Sequence, residues 1–201
     1  MKKMMLLGAL LVCAAGVGNA QESRQDFSAS LLGVFGYDAH GVDAAQQQPL
    51  GAAGVLLSYR YSVTPRSSLE VNYGFDQGSI KFHNPDFSGP DYVHERQEEI
   101  TGAYVYSRNY KNFNPFVEIG VGGIIFTPIR DYKTSELDTK QNTNIGGLAG
   151  GGLAYEISPS FDVRAEYRGF LLKSPDFGNA QYKTNRYEWL SLPVIGIAYH
   201  F

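Results

Sequence analysis

The chain has 201 residues, with 17 basic and 20 acidic side chains and a single cysteine. This length suits one domain, and the net negative charge argues against a nucleic-acid partner. The 14 tyrosines, 12 phenylalanines and 23 glycines favour strands over helices. After the N-terminal twenty residues, no apolar run approaches the length of about 18 residues that a transmembrane helix needs.

The N-terminal segment, 1–20, has the features of a secretory signal peptide. Lys2 and Lys3 precede an apolar stretch from 4 to 15, and Gly18-Asn19-Ala20 places small residues before a cleavage site. An N-terminal membrane anchor is the alternative, but the apolar run is short for a spanning helix of about 20 residues. We therefore predict cleavage before Gln21.

Cleavage would leave one mature domain, 21–201, with 15 basic and 20 acidic residues. Cys13 would leave with the signal peptide, and the bulky Val12 before it disfavours lipidation. Without a cysteine, the exported domain would contain no disulfide bond.

Alternation of apolar and polar residues predicts eight strands in the mature chain. In 69–76, for example, Leu69, Val71 and Tyr73 alternate with polar residues or glycine. Such alternation marks a strand whose two faces differ chemically. The predicted strands are approximately 26–38, 50–63, 68–78, 98–109, 114–127, 144–157, 160–172 and 189–201. The faces of the fourth are left unassigned, and Leu32 and Val34 of the first are interpreted as facing inward.

The connections between these strands alternate in length. Short turns at 64–67, 110–113 and 158–159 alternate with long polar connections at 39–49, 79–97, 128–143 and 173–188. Turns at one end and loops at the other are typical of an outer-membrane barrel. Loop 79–97 mixes aromatic and charged residues. We predict a solvated loop stiffened by Pro85 and Pro90, with recognition of a partner at the cell surface as the alternative.

The apolar faces predict contact with lipid, and the opposite faces then line a lumen. In a barrel of about eight strands, side chains fill the interior. Charges enclosed there must pair, because an unpaired buried ion is costly. The alternative is a soluble barrel with these charges in solvent, which would expose the aromatic faces to water. The predicted lumen charge network consists of Arg60, Glu70, Glu118, Glu156, Arg164, Glu166 and Arg168.

The last strand carries Ile195, Ile197, Tyr199 and Phe201 on one face, with small residues and His200 on the other. Together with the strand-turn-strand block 152–168, this segment resembles the OmpA/OmpX-like family of eight-stranded outer-membrane β-barrels. The resemblance implies an all-β, antiparallel up-and-down transmembrane barrel in the outer membrane of a Gram-negative bacterium. It also implies that Tyr199 and Phe201 form the signal read by the barrel assembly machinery, with outer-membrane lipid as a further partner.

No catalytic, cofactor or metal motif is found. His40, His83 and His94 lie in or beside predicted loops, but their spacing matches no metal site. His200 raises the alternative of a lipid-modifying enzyme, although Ser191 lies too far along the same strand to pair with it. We therefore predict a non-enzymatic protein with a structural or surface-interaction role and a plugged lumen. A soluble, lipocalin-like calyx that binds a small hydrophobic ligand is the remaining alternative.

Overall fold

The computed structural model describes residues 24–40, 46–83, 91–130, 140–178 and 183–201. The predicted signal peptide lies outside these ranges, and its cleavage stays a prediction. Eight long strands run through the described residues, each antiparallel to its neighbours. They are β1 Gln25–Gly36, β2 Gln46–Thr64, β3 Ser67–His83, β4 Asp91–Ser107, β5 Phe113–Pro128, β6 Asn142–Ser158, β7 Phe161–Lys173 and β8 Tyr187–His200.

The sheet closes into a barrel because β1 pairs with both β2 and β8. Phe27, for example, lies opposite Tyr59 of β2 and opposite Tyr199 of β8. A two-residue strand, Ala39–His40, adds to β2 beyond the end of β1. The predicted eight-stranded antiparallel up-and-down barrel is confirmed.

The short turns lie at one end of the barrel, as predicted. Two-residue turns join β2 to β3 and β6 to β7. A tight hairpin, with reciprocal backbone hydrogen bonds of 2.8 and 3.0 Å between Tyr110 and Phe113, joins β4 to β5. Lys111 in this hairpin has a φ of 56°, the left-handed conformation that a tight turn requires. The strand ends that flank the longer connections lie at the opposite end.

The strands extend further toward the long connections than the sequence analysis predicted. The prediction of a loop over 79–97 was wrong for most of its length, because β3 continues to His83 and β4 begins at Asp91. The physical reason is that the alternation continues. Ile80, Phe82 and Val93 point inward and are buried, so this hairpin packs its apolar side chains inside the barrel. Residues 84–90 between the two strands lie outside the described ranges.

Aliphatic and aromatic side chains cover the outer surface of the strands, as the alternation predicted. Exposed examples on successive strands include Leu31, Leu57, Val71, Ile100, Ile119, Leu153, Tyr167 and Ile197. The outward position of Ile100 settles the faces of β4, which the sequence left unassigned. Within the described ranges, we find no helix with the length and hydropathy needed to cross a bilayer.

The apolar core lies inside the half of the barrel nearest the long connections. Leu32 and Val34 of β1 belong to it, as interpreted from the sequence. Phe177, beyond the end of β7, packs edge-on against Phe82, with 6.1 Å between ring centroids. The lumen is therefore mainly apolar in this half and mainly polar in the other. Other members of the core are Leu56, Ile80, Val93, Ala103, Ile124, Phe126, Leu148, Phe170, Leu172, Leu190, Leu192 and Val194.

Candidate functional site in the barrel lumen

A buried ion pair joins β2 and β3 in the polar half of the lumen. Arg60 and Glu70 lie opposite each other in the β2–β3 register, because the tight turn between the strands fixes their alignment. The Arg60 Nε donates to Glu70 Oε2 at 2.7 Å, and the Arg60 Nη2 lies 2.6 Å from the same oxygen. The guanidinium carbon also lies 4.8 Å from the centre of the Phe116 ring. These contacts hold Arg60 against the wall of the lumen.

Arg168 on β7 contacts strands that are not its neighbours in the sheet, and none of its side-chain surface is exposed. Its Nη2 lies 2.8 Å from Glu99 Oε1 on β4 and donates to Thr101 Oγ1 at 3.3 Å. Its Nε lies 3.2 Å from Glu118 Oε1 on β5 and 3.8 Å from Glu166 Oε1 on its own strand. One guanidinium thus contacts carboxyl groups from three strands.

The glycines of β6 leave room for this arrangement. A Cβ at Gly150 would lie 2.5 Å from Glu118 Oε1, and a Cβ at Gly152 would lie 2.7 Å from the Phe116 ring. A larger residue at Gly150 would therefore displace the carboxylate that binds Arg168.

A polar cavity of about 390 Å³ opens at the end of the barrel that carries the short turns. Arg164 and Asp26, which pair at 2.8 Å, line it together with His200 and Asp162, which also lie 2.8 Å apart. Arg60, a member of the charged network in the middle of the lumen, also lines the cavity. The cavity is open to solvent at its outer end and lies on the opposite side of the charged network from the apolar core.

Three further carboxyl groups lie in the lumen on the extracellular side of the Arg168 contacts, without a cationic partner among the described residues. Glu95 is fully buried and accepts a hydrogen bond of 2.9 Å from Gln97. Asp76 and Glu188 are also buried. Gln47, likewise buried, has no hydrogen-bond partner for either side-chain polar atom within the described part of the chain. These groups lie beside residues of the apolar core, since Gln47 is opposite Phe82 and Glu188 is opposite Leu172. An unpaired charge there is costly.

The predicted network residues fall into three groups. Arg60, Glu70, Glu118, Glu166 and Arg168 come together in the middle of the lumen, and Arg164 pairs separately near the open end. Glu156 occupies an inward position on β6 but belongs to none of the ion pairs among the described residues. The assignment of a functional network to all seven stays a prediction.

Sequence reasoning missed several residues of this site. Asp26, Glu99 and Asp162 each pair with a predicted cation or with His200. The signal that could have found Glu99 is the run Val93, Glu95, Gln97, Glu99, Thr101, which alternates with outward-facing residues along β4. It was hidden because the next inward positions, Ala103 and Val105, are apolar like their outward neighbours.

The remaining predicted residues lie on the outside of the barrel. Tyr199 and Phe201 are exposed there and stack, with 6.0 Å between ring centroids, and Tyr199 also contacts Phe161 at 5.1 Å. Their role as an assembly signal stays a prediction. Among the described residues, no group of three His, Cys, Asp or Glu side chains is arranged to hold a metal ion. The side chain of His40 lies outside the described part of the structure.

Comparison with known proteins identifies the class. Residues 5–190 match the family described as the outer membrane protein beta-barrel domain. The chain belongs to this family. It is therefore an integral barrel of the outer membrane of a Gram-negative bacterium, and its apolar outer face contacts outer-membrane lipid. In such barrels the short turns lie on the periplasmic side and the longer connections outside the cell.

Solved structures show the same fold at low sequence identity. Neisserial surface protein A is similar over 89% of this chain and 98% of its own, with 14% identity and a TM-score of 0.61. The outer-membrane protein OprG of Pseudomonas aeruginosa gives 90% and 97% coverage, 12% identity and a TM-score of 0.64. Ail of Yersinia pestis, solved with the heparin analogue sucrose octasulfate, gives 89% and 99% coverage, 13% identity and a TM-score of 0.51. No curated protein matches the chain in sequence.

The outer-membrane barrel family and the observed faces disfavour a soluble calyx. A calyx would be polar outside, whereas aliphatic and aromatic side chains cover the outside of this barrel. The positions of Ser191 and His200 also disfavour a lipid-modifying enzyme built on this pair. The Ser191 hydroxyl lies on the outer face, 2.7 Å from the Tyr167 hydroxyl, while His200 lines the periplasmic cavity.

Proposed function

We propose that the protein is a non-enzymatic envelope protein that acts through its extracellular surface and does not conduct solutes. The observation that supports this most strongly is the filled lumen. Arg168 and its carboxylate partners occupy the middle, and the apolar core occupies the extracellular half. A solute entering the periplasmic cavity meets buried side chains on its inner side, as expected for a barrel of about eight strands.

Conductance across planar bilayers tests the plugged lumen. We expect the purified protein to give no stepwise ion currents. Phe170→Ala, which removes a fully buried ring from the apolar core, provides a comparison with a loosened plug. Stepwise currents through the unmodified barrel would contradict the proposal.

A non-enzymatic role is supported by the surroundings of His200. Its Nε2 lies 2.8 Å from Asp162 Oδ2, and Ser191 is on the other side of the barrel wall. We expect His200→Ala to leave the lipid composition of the envelope unchanged. A change in acyl chains or headgroups that depends on His200 would favour the enzymatic alternative instead.

Exposed cations at the extracellular end favour an anionic surface ligand. Among the described residues in and beside the connections that follow β5 and β7, the exposed charged side chains are all cations. Because opposite charges steer association, a polyanion is the class of ligand that these cations fit. Ail, a structural relative, was solved with a sulfated ligand of this class. The exposed cations are Arg130, Lys140, Lys173, Lys183 and Arg186.

Binding of sucrose octasulfate to the protein in uncharged detergent tests this surface. We expect measurable binding by calorimetry that weakens in Lys173→Gln/Lys183→Gln/Arg186→Gln and falls with added salt. Arg24→Gln/Lys111→Gln, which removes two exposed cations at the periplasmic end, is the control and should bind like the unmodified protein. Equal binding by both variants would show that the extracellular cations do not form the site.

Recognition by the barrel assembly machinery is the last part of the proposal. Tyr199 and Phe201 form an exposed aromatic pair on the outer face of β8, where another protein can contact them. We expect Tyr199→Ala/Phe201→Ala to slow insertion catalysed by the purified machinery. Tyr155→Ala, an exposed aromatic change on β6, is the control. Equal rates for both variants would remove the assembly role.

A further inference from the structure

The periplasmic cavity is closed at its inner end. Arg60 and Phe116 form part of its wall there, with the guanidinium carbon 4.8 Å from the centre of the ring, and the charged network lies beyond them. Arg24, on the outer rim, is exposed to solvent. A molecule that enters from the periplasm therefore stops inside the cavity. The cavity volume of about 390 Å³ falls within the range of about 300–1,000 Å³ that is usual for small-molecule sites.

The buried charges that line the cavity already have opposite partners. Arg164 Nη2 lies 2.8 Å from Asp26 Oδ2. His200 Nε2 lies 2.8 Å from Asp162 Oδ2. The guanidinium of Arg60 lies 2.6 Å from a buried carboxylate of β3. Because these charges are paired, the interior of the cavity does not call for an ionic ligand.

Buried polar atoms of the lining residues lack hydrogen-bond partners in the described part of the chain. Arg164 Nε is such a donor, and Asp26 Oδ1 and Asn114 Oδ1 are such acceptors. Buried polar atoms in folded proteins nearly always have a partner, so these atoms point to a molecule that supplies one. A hydroxyl group accepts from the donor and donates to the acceptors, whereas a carboxylate only accepts and an ammonium only donates.

Neutral polar groups complete the wall of the cavity. The hydroxyls of Ser62 and Ser68 lie 3.2 Å apart, and the side chains of Ser107 and Asn109 also line the cavity. Hydroxyl and amide groups both donate and accept, as the hydroxyls of a sugar do. We propose that this cavity is a binding site for a small neutral sugar in the periplasm. The site lies at the opposite end from the extracellular cations, so it stands or falls independently of the proposed surface role.

Nuclear magnetic resonance of the isotope-labelled protein tests this site, in an uncharged polyoxyethylene detergent that has no sugar headgroup. The probes are glucose and, as a charged match with the same ring, glucuronic acid. We expect glucose to shift the side-chain amide signals of Asn109 and Asn114 saturably and to leave that of Asn144, at the extracellular end, in place. Asn114→Leu should weaken glucose binding roughly tenfold. Asn72→Leu, the same change at a buried lumen asparagine outside the cavity lining, is the matched control.

Several results would overturn the proposal. One is the absence of saturable shifts when glucose is added to the unmodified protein, a measurement that does not depend on a variant folding. Tighter binding of glucuronic acid than of glucose would identify a site for anions and not for neutral sugars. The third is an Asn114→Leu protein that migrates as a folded barrel in unboiled gels and binds glucose as tightly as the unmodified protein does.

Discussion

The Arg168 side chain of β7 reaches across the lumen to Glu99 of β4, with 2.8 Å between Nη2 and Oε1. The same guanidinium contacts Glu118 of β5 at 3.2 Å through Nε. These ion pairs connect strands that are not neighbours in the sheet, so they brace the barrel from within.

Replacing Arg168 should therefore destabilise the barrel strongly. Arg168→Met would leave Glu99 and Glu118 buried without their cation, and we expect a loss of about 3–5 kcal/mol in the free energy of unfolding. Urea unfolding of the barrel in lipid vesicles measures it. Arg168→Met/Glu99→Gln/Glu118→Gln, which removes the stranded charges as well, should recover part of the loss. Unchanged stability in Arg168→Met would contradict the bracing role.

Glu95→Gln should stabilise the protein. Glu95 is fully buried, and within the described part of the chain its partner is the neutral amide of Gln97, at 2.9 Å. An amide keeps the shape and the hydrogen bond but has no charge to remove from water. We expect a higher melting temperature for the variant at pH 8. Glu98→Gln, one residue along and on the outer face, is the control, and a drop in melting temperature specific to Glu95→Gln would show that the charge is needed.

Gly169→Ala should move the single tryptophan of the chain. A Cβ at Gly169 would overlap Cζ2 of Trp189, so the indole, which lies over Gly169, must leave its position. We expect stronger quenching of tryptophan fluorescence by lipids with brominated acyl chains as the ring lifts from the sheet. At Gly147, also outward-facing, a Cβ would meet nothing within 4 Å, so Gly147→Ala should leave the fluorescence unchanged. Identical quenching in both variants would refute this packing.

The hydroxyls of Tyr167 and Ser191 should be energetically coupled. They lie 2.7 Å apart on the outer side of the barrel, where lipid offers few alternative partners. Tyr167→Phe and Ser191→Ala should each lose about 0.5–1.5 kcal/mol of stability. A double-mutant cycle measures the coupling, because the double variant should lose less than the two single losses together. Additive losses would mean that the two hydroxyls do not stabilise each other.

The strand order and the faces of most strands could be predicted from sequence because both depend on local patterns. The Arg60–Glu70 pair is of this kind, since a two-residue turn aligns its strands. The contact between Arg168 and Glu99 could not be predicted in this way. It depends on the tilt and the stagger of the strands in the closed barrel, and the residue pattern of a single strand gives neither. Glu99 was also hidden by the mixed pattern of β4, where Ala103 and Val105 face inward between outward tyrosines.

The sequence analysis underestimated how far the strands extend at the extracellular end, for a different reason. Charged and polar residues such as Lys81, His94 and Arg96 lie on the outer face there, and they suggested a loop. Their inward neighbours, Ile80, Phe82 and Val93, are buried in the apolar core and keep the hairpin paired. A hydrophilic exterior beyond the lipid-facing surface therefore marks the end of the membrane and not the end of a strand.

The pairing of β1 with β8 has a consequence for the biogenesis of the protein. Asp26 and His200 lie opposite each other in this ladder although almost the whole described chain separates them. Contacts between such distant residues form late, because the intervening chain must be ordered first. Until β8 arrives, one edge of β1 has unpaired backbone groups that could recruit a strand from another molecule. The first barrel strand to be exported is thus the one whose edge must be shielded for longest.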